Sequence, residues 1–330
     1  MIQIELIASP EAMTALAARW TALWRRQPGA TPFQHPAWLE AWWRQFGNEW
    51  PRLVTAWSGA DLVGILPLYE YEDVDGRKLL PVGIGLSDYI DALCDPAHPE
   101  AVDPILAAIG DIPEWRECYL PDLAPEAALR RAACPPGVSD EFSDSIPCPV
   151  LALPGCAEGL AQIVPRKTLR DLRQAHSRTK AAGSLAFEAA DDARSVEAAM
   201  GELFRLHRKR WRERGEGGVL GDAKVQAFHR EAAPVLLECG LLRLYTLRIG
   251  GGMVAVYYGF VHGGRAYAYL GGFDPDEPRL SPGAQIIGHA ITEAIAEGAR
   301  EFDFLRGGET YKYAWGAADR WSAARRILRR

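Results

Sequence analysis

The sequence predicts an α/β chain, of α+β character, made of two similar halves. Each half is expected to hold a mixed, mostly antiparallel sheet flanked by helices. Three observations predict this. Helical and strand periodicities alternate along all 330 residues. One order of elements occurs twice: helices, three antiparallel strands, a helix and a strand. Several positions also coincide when the halves are laid on each other. Leu53, Thr55, Gly59 and Val63 fall on Leu244, Thr246, Gly250 and Val254, and Gly76, Arg77 and Gly83 on Gly264, Arg265 and Gly271.

In the first half, residues 10–27 carry Leu16, Trp20 and Leu23 on one helical face. Pro36 opens a second helix that Gly47 ends. Strands are expected at 52–59 and 60–71 around a Ser-Gly turn, at 77–83, and at 115–120, with a helix over 99–110. The stretch 121–155 is rich in Pro, Ala and acid, and reads as a connector with one short helix. The boundary is expected near residue 150, giving units 1–150 and 151–330.

The second half opens with a basic helix over 165–183, between Pro165 and Gly183. Helices over 195–215 and 222–239 follow. Three antiparallel strands come next, through Leu241–Gly251, Gly252–Gly264 and Arg265–Asp274, joined by glycine turns. Ser281-Pro282-Gly283 precedes a further helix, and 300–308 reads as a buried strand before the tail 309–316.

Charge is divided unevenly. Residues 1–150 hold 10 Lys+Arg against 22 Asp+Glu; residues 151–330 hold 27 against 21. An anionic ligand is therefore better accommodated by the second half. The overall charge of −6 argues against a general nucleic-acid binder. The chain has no apolar run long enough to span a membrane and no basic-then-apolar leader, so a cytoplasmic location is expected. The six cysteines never form C-x-x-C and read as reduced, buried thiols. The seven histidines show neither H-x-x-x-H nor H-E-x-x-H, so no metal site is expected. Neither G-x-S-x-G nor a P-loop occurs.

Five segments carry a family resemblance: 33–47 (FQHPAWLEAWWRQFG), 62–69 (LVGILPLY), 165–183, 280–291 (LSPGAQIIGHAI) and 302–316 (FDFLRGGETYKYAWG). With the doubled element order, they resemble the GCN5-related N-acetyltransferase fold in tandem, as in Fem-type peptidyltransferases. More closely, the chain is similar to the CelD-like (BcsL-type) acetyltransferases of bacterial exopolysaccharide loci. The resemblance implies an acyltransferase with acetyl-CoA or another acyl-CoA as donor and no metal. It leaves the acceptor open, with a small-molecule or lipid-linked sugar the expected class. It also implies that the donor lies between two splaying strands, its pyrophosphate at the start of the next helix. The family motif there is [RQ]-x-x-G-x-[GA]. Arg279 and Ala284 fit it; Pro282 replaces the first glycine and removes a backbone donor. Arg279, Ser281, Gly283, Ala284 and Gln285 are the expected donor-binding residues. The corresponding segment of the first half carries Asp95, Glu100 and Asp103, which would repel a pyrophosphate, so that half is expected to lack a donor site.

The catalytic candidates cluster after the last strand. Asp303 lies among apolar neighbours, where a carboxylate is costly unless paired. It is a candidate base; pairing with Arg306 or capping a turn is the alternative. Glu309 is the other base candidate. Tyr311 is a weak acid suited to a leaving thiolate. Lys312 can bind phosphate or carboxylate. Arg166, Arg170 and Arg173 share one helix face and are expected to hold a phosphorylated acceptor. A second basic run comprises Arg205, Arg208, Lys209, Arg210, Arg212 and Arg214. Peripheral contact with a membrane stays open.

Two readings compete with CoA-dependent acyl transfer to a sugar. One is an aminoacyl-tRNA-dependent ligase of the Fem type; the other is a non-catalytic sensor of an anionic nucleotide.

Overall fold

The computed structural model describes residues 1–9, 11–48, 50–212 and 218–329. In chain order the elements are β1 (Ile2–Ile7), α1 (Glu11–Arg26), α2 (Pro36–Phe46), β2 (Pro51–Ser58), β3 (Asp61–Asp73), β4 (Gly76–Pro81), β5 (Leu93–Cys94), α3 (Val102–Ala107), β6 (Glu117–Leu123), α4 (Ala128–Arg131) and β7 (Val138–Ala152). Then come α5 (Leu160–Ile163), α6 (Arg166–Ala182), β8 (Leu185–Ala189), α7 (Ala193–Arg212), α8 (Ala223–Glu238), β9 (Leu242–Ile249), β10 (Gly252–His262), β11 (Arg265–Phe273), α9 (Pro282–Ala296), β12 (Glu301–Asp303), α10 (Thr310–Tyr313) and β13 (Ala318–Arg329).

The chain divides into two units: Met1–Pro147 with Arg320–Arg330, and Cys148–Asp319. The expected second unit therefore loses its last residues. The reason is β13, which pairs antiparallel with β6 from Ala323 against Leu123 to Leu328 against Glu117. Buried Arg325 on β13 donates to the Leu129 and Ala132 carbonyls and pairs with Asp140. The first unit's sheet runs β1-β2-β3-β4-β6-β13, antiparallel except β4 beside β6. Its core takes Trp20, Trp38 and Trp115, all fully buried.

In the second unit the order is β12-β11-β10-β9-β8. β11 and β12 are parallel; β8 to β11 are antiparallel. The β9–β10 turn uses Gly250 and Gly251, both at positive φ, which only glycine adopts at little cost. On one face α9 packs its Ile286, Ala290 and Ile291 into a core with Tyr257, Leu247 and Phe302. Asp222 caps α8 by accepting from the Lys224 and Val225 N–H groups.

Five strands lie where none was expected, one of them β5, which is only two residues long. β7 falls inside the supposed connector, where Pro and acid masked its alternation, and β1, β8 and β13 are short or charged strands of weak sequence signal. The strand expected over 300–308 is confined to Glu301–Asp303. Leu305, buried at φ +59°, ends it. Cys94, Cys118 and Cys148 are buried, whereas Cys134, Cys156 and Cys239 are exposed, against expectation.

Candidate active site

β11 and β12 pair only over Arg265–Tyr267 and Glu301–Asp303. Beyond Tyr267, β11 runs on to Phe273 with no strand partner on that edge among the described residues. Its pairing with β10 also shifts register, so that Tyr258 faces Leu270 and Gly259 faces Ala268. Tyr269 is the extra residue of this bulge, which bends the strand. The result is a cleft of about 580 Å³, walled by β11 residues 268–273, the start of α9, Thr168 of α6, Arg210 of α7, Tyr311 and Trp315. Such a volume is in the range of small-molecule sites. Gly271 carries no side chain at this wall, so a ligand can reach the exposed strand edge, whereas a Cβ on Gly272 would point at Leu203 and Leu206 of α7.

The start of α9 forms one rim. Ser281 is its N-cap in the left-handed region, at φ +47°. Pro282 has no N–H, and the N–H groups of Ala284 and Gln285 both turn back to the Ser281 carbonyl. Gly283 remains as the one amide of that turn not drawn onto Ser281. A Cβ on Gly283 would lie 2.8 Å from the Phe273 ring, so this glycine is needed for the close approach of helix and strand. Over Phe273 stands the Arg210 guanidinium, 4.7 Å from the ring centroid.

Of the residues expected to bind the donor, Ser281, Gly283 and Ala284 line the cleft. Gln285 is buried behind it, donating to Thr179 Oγ1 at 2.8 Å and to the Leu280 carbonyl at 2.7 Å, and so ties α9 to α6. The Arg279 side chain is exposed, while its carbonyl accepts from Arg178 Nε at 2.9 Å.

Of the catalytic candidates, Tyr311 lines the cleft. Desolvation pushes its hydroxyl up to about 12, and the Glu309 carboxylate adds to the rise while Arg210 opposes it. The phenol is therefore protonated at neutral pH. Asp303 is fully buried, and its Oδ1 accepts from the Leu305 N–H at 2.8 Å, holding the left-handed turn. Lys312, 3% exposed, donates to the carbonyls of Leu305, Arg306 and Gly307 and lies 2.9 Å from Glu309 Oε2. Its ammonium is thereby committed to the turn beside Tyr311. Glu309 itself is exposed.

Arg166, Arg170 and Arg173 are exposed on α6, away from the cleft lining. In the second basic run, Arg205 pairs with Glu202, and Lys209 with Asp274 and Asp276, while Arg210 enters the cleft. Arg214 and the Arg212 side chain lie outside the described residues. Sequence reading missed Phe273, Tyr257 and Arg210 as cleft residues. The Gly271-Gly272 pair in a strand was the available signal for the first; Arg210 was hidden among its basic neighbours.

In the first unit, Asp95 pairs with Arg26 at 2.5 Å, Asp103 accepts from the Ala133 N–H, and Glu100 lies 3.3 Å from His98. A cavity there, beside Phe33 and Tyr89, measures about 10 Å³, room for about one water. Among the described residues no group of His, Cys, Asp or Glu is arranged to hold a metal, and no helix is long and apolar enough to cross a membrane.

Residues 166–313 match the family described as Acetyltransferase (GNAT) domain. No curated protein matches the chain in sequence. Among solved structures, FemX is similar over 98% of this chain and 96% of its own, at 12% identity and a TM-score of 0.68. The C-terminal domain of an Agrobacterium fabrum protein described as a lysylphosphatidylglycerol synthetase is similar over 96% and 92%, at 14% identity and 0.60. L-PGS from Bacillus licheniformis is similar over 95% and 91%, at 12% and 0.60. With the sheet order above, these likenesses give the chain a GNAT-type acyltransferase fold of mixed α/β build, the mostly antiparallel strands flanked by helices.

Proposed function

We propose that the second unit is an acyltransferase that moves an acyl group, acetyl in the simplest case, from acyl-CoA to an amino or hydroxyl group of a sugar. The observation that carries this is Tyr311, protonated and projecting into the cleft beside an unpaired strand edge. An extended thioester donor can add to that edge through main-chain hydrogen bonds. The acceptor nitrogen or oxygen attacks the thioester carbonyl, and the C–S bond breaks. The acceptor's proton leaves to a base, for which exposed Glu309 is positioned near Tyr311, and Tyr311 protonates the departing sulfur. Holding both reactants in one cleft supplies much of the acceleration. A phosphorylated or lipid-linked acceptor would meet Arg166, Arg170 and Arg173. The resemblance to CelD-like proteins supports a polysaccharide precursor as that acceptor.

A second reading is favoured by one observation. With Pro282 in place, the start of α9 offers a diphosphate a single main-chain donor, at Gly283. An aminoacyl ester donor, which carries no diphosphate there, needs no such cradle, and the likeness to FemX supports it. Titration calorimetry of the full chain with acetyl-CoA, paired with thiol-release assays on amino sugars, separates the two. Saturable heat and thiol release support the CoA donor. Absence of both at millimolar ligand refutes it, and transfer from aminoacyl-tRNA would then establish the second reading. Heat without thiol release would leave a binding protein for an anionic nucleotide.

A further inference from the structure

We propose that α6 is a docking surface for an anionic phospholipid bilayer. At 3.6 residues per turn, Arg166, Arg170, Arg173 and Lys180 fall within about 80° of one another, and Lys167 and Arg178 widen the stripe to about 160°. All six side chains are exposed. The opposite side carries Ala175 and Thr179, both buried, and Leu172, while Leu169 borders the stripe; both leucines pack on the core of the second unit. Between the cations, the outward positions hold Gln174, Ser177 and Ala181.

One acid lies on this helix, Asp171, at the margin of the stripe. It pairs with Lys167 at 3.0 Å and contacts Arg170 at 3.5 Å. Six cations against one carboxylate leave a strong positive excess over a straight helix about 25 Å long. Arg178 turns its Nε onto the Arg279 carbonyl, so the exposed Arg279 segment adjoins the same surface.

A straight row of cations on one half of a helix complements a plane of charge. The stripe holds no aromatic side chain on which a base can stack, the usual device of single-stranded nucleic-acid binding. No exposed apolar residue larger than Ala181 interrupts it either, so attachment is electrostatic and lies at the headgroup level without insertion. Thr168 of the same helix lines the cleft and donates to the Ala314 carbonyl, so the docking helix is part of the cleft wall. A bilayer held by α6 would bring lipid-linked molecules toward that cleft. The inference does not depend on which acyl group is moved, or on whether any is.

The test is co-sedimentation of the full chain with large vesicles of phosphatidylglycerol and phosphatidylcholine, compared with phosphatidylcholine alone. Binding is expected to the mixed vesicles only, and to fall steeply between 0.1 and 0.5 M salt as screening sets in, roughly. Each cation near an anionic surface is worth about 1 kcal/mol, so each neutralisation is expected to weaken binding about fivefold. Combining Arg166→Gln, Arg170→Gln, Arg173→Gln and Lys180→Gln should then weaken it by on the order of 10² or more. Replacing the three arginines by Lys should leave it within about threefold, and Arg208→Gln on α7 should not change it. If the fourfold variant loses helical circular dichroism, Arg166→Gln and Lys180→Gln, near opposite ends of α6, carry the test singly. Equal binding to phosphatidylcholine, or full binding by a folded neutralised variant, overturns the proposal. So does tighter binding to polyuridylate than to the mixed vesicles, which would make α6 an RNA surface.

Discussion

Lys312 Nζ lies 2.9 Å from Glu309 Oε2, and Tyr311 sits between them in the chain. The same ammonium gathers three successive carbonyls, of Leu305, Arg306 and Gly307, and so fixes the turn that aims Tyr311 at the cleft. Lys312→Met keeps the volume and deletes those bonds. It is expected to lower the unfolding free energy by about 2–3 kcal/mol, since buried carbonyls are left without their donor. Urea denaturation measures this. A change under about 0.5 kcal/mol would show the clasp to be dispensable.

Tyr311→Phe removes the phenolic proton and little packing. Turnover is expected to fall about 10²-fold, within the usual range for a positioned acid or base. The melting temperature should stay the same. Because the hydroxyl is held protonated up to about 12, the wild-type rate should show no loss from this group between pH 7 and 9. Full turnover by the Phe variant would remove the acid from the mechanism.

Asp303→Asn tests a different role. The amide oxygen can still accept from the Leu305 N–H, as Asp303 Oδ1 does. With the carboxylate fully buried and outside the cleft lining, the expected change in turnover is under about threefold. A 10²-fold loss in a folded protein would instead establish Asp303 as the base.

Pro282→Gly returns a main-chain N–H to the start of α9. If a diphosphate sits there, one added charge-assisted hydrogen bond is worth about 1.5–3 kcal/mol, so CoA should bind at least about tenfold tighter by calorimetry. Unchanged affinity would place the anion elsewhere.

Burial lowers His229 to about 3 and His207 to about 4, the latter with help from the Arg210 charge. Both stay neutral in the fold, while the unfolded chain protonates them below its ordinary value of 6.5. As pH falls from 6.5 towards 4, the unfolded state gains protons that the fold refuses, and stability declines. Each site contributes at most about 1.4 kcal/mol per pH unit. His229→Gln should flatten the urea midpoint's pH dependence by about one such slope. An unchanged profile would mean that His229 takes up a proton inside the fold.

The helices were legible in the sequence because their signals are local. Pro36 and Gly47 bound α2, Pro165 and Gly183 flank α6, and Ser281-Pro282 opens α9, each by backbone rules that act within one turn. The hairpins of β2 with β3 and of β9 with β10 were legible for the same reason. The mostly antiparallel α/β class followed from their order.

What only the tertiary structure decided depends on residues far apart in the chain. β13 joins the first unit because its partner is β6, some 200 residues earlier, and no periodicity encodes a partner. The cleft exists because β12 stops at Asp303 while β11 continues to Phe273. Whether Lys312 faces a ligand or three carbonyls, and whether Arg210 stands in the cleft or on the surface, is set by packing across those gaps. A side chain's chemistry is written in the sequence; the groups it meets are chosen by the fold.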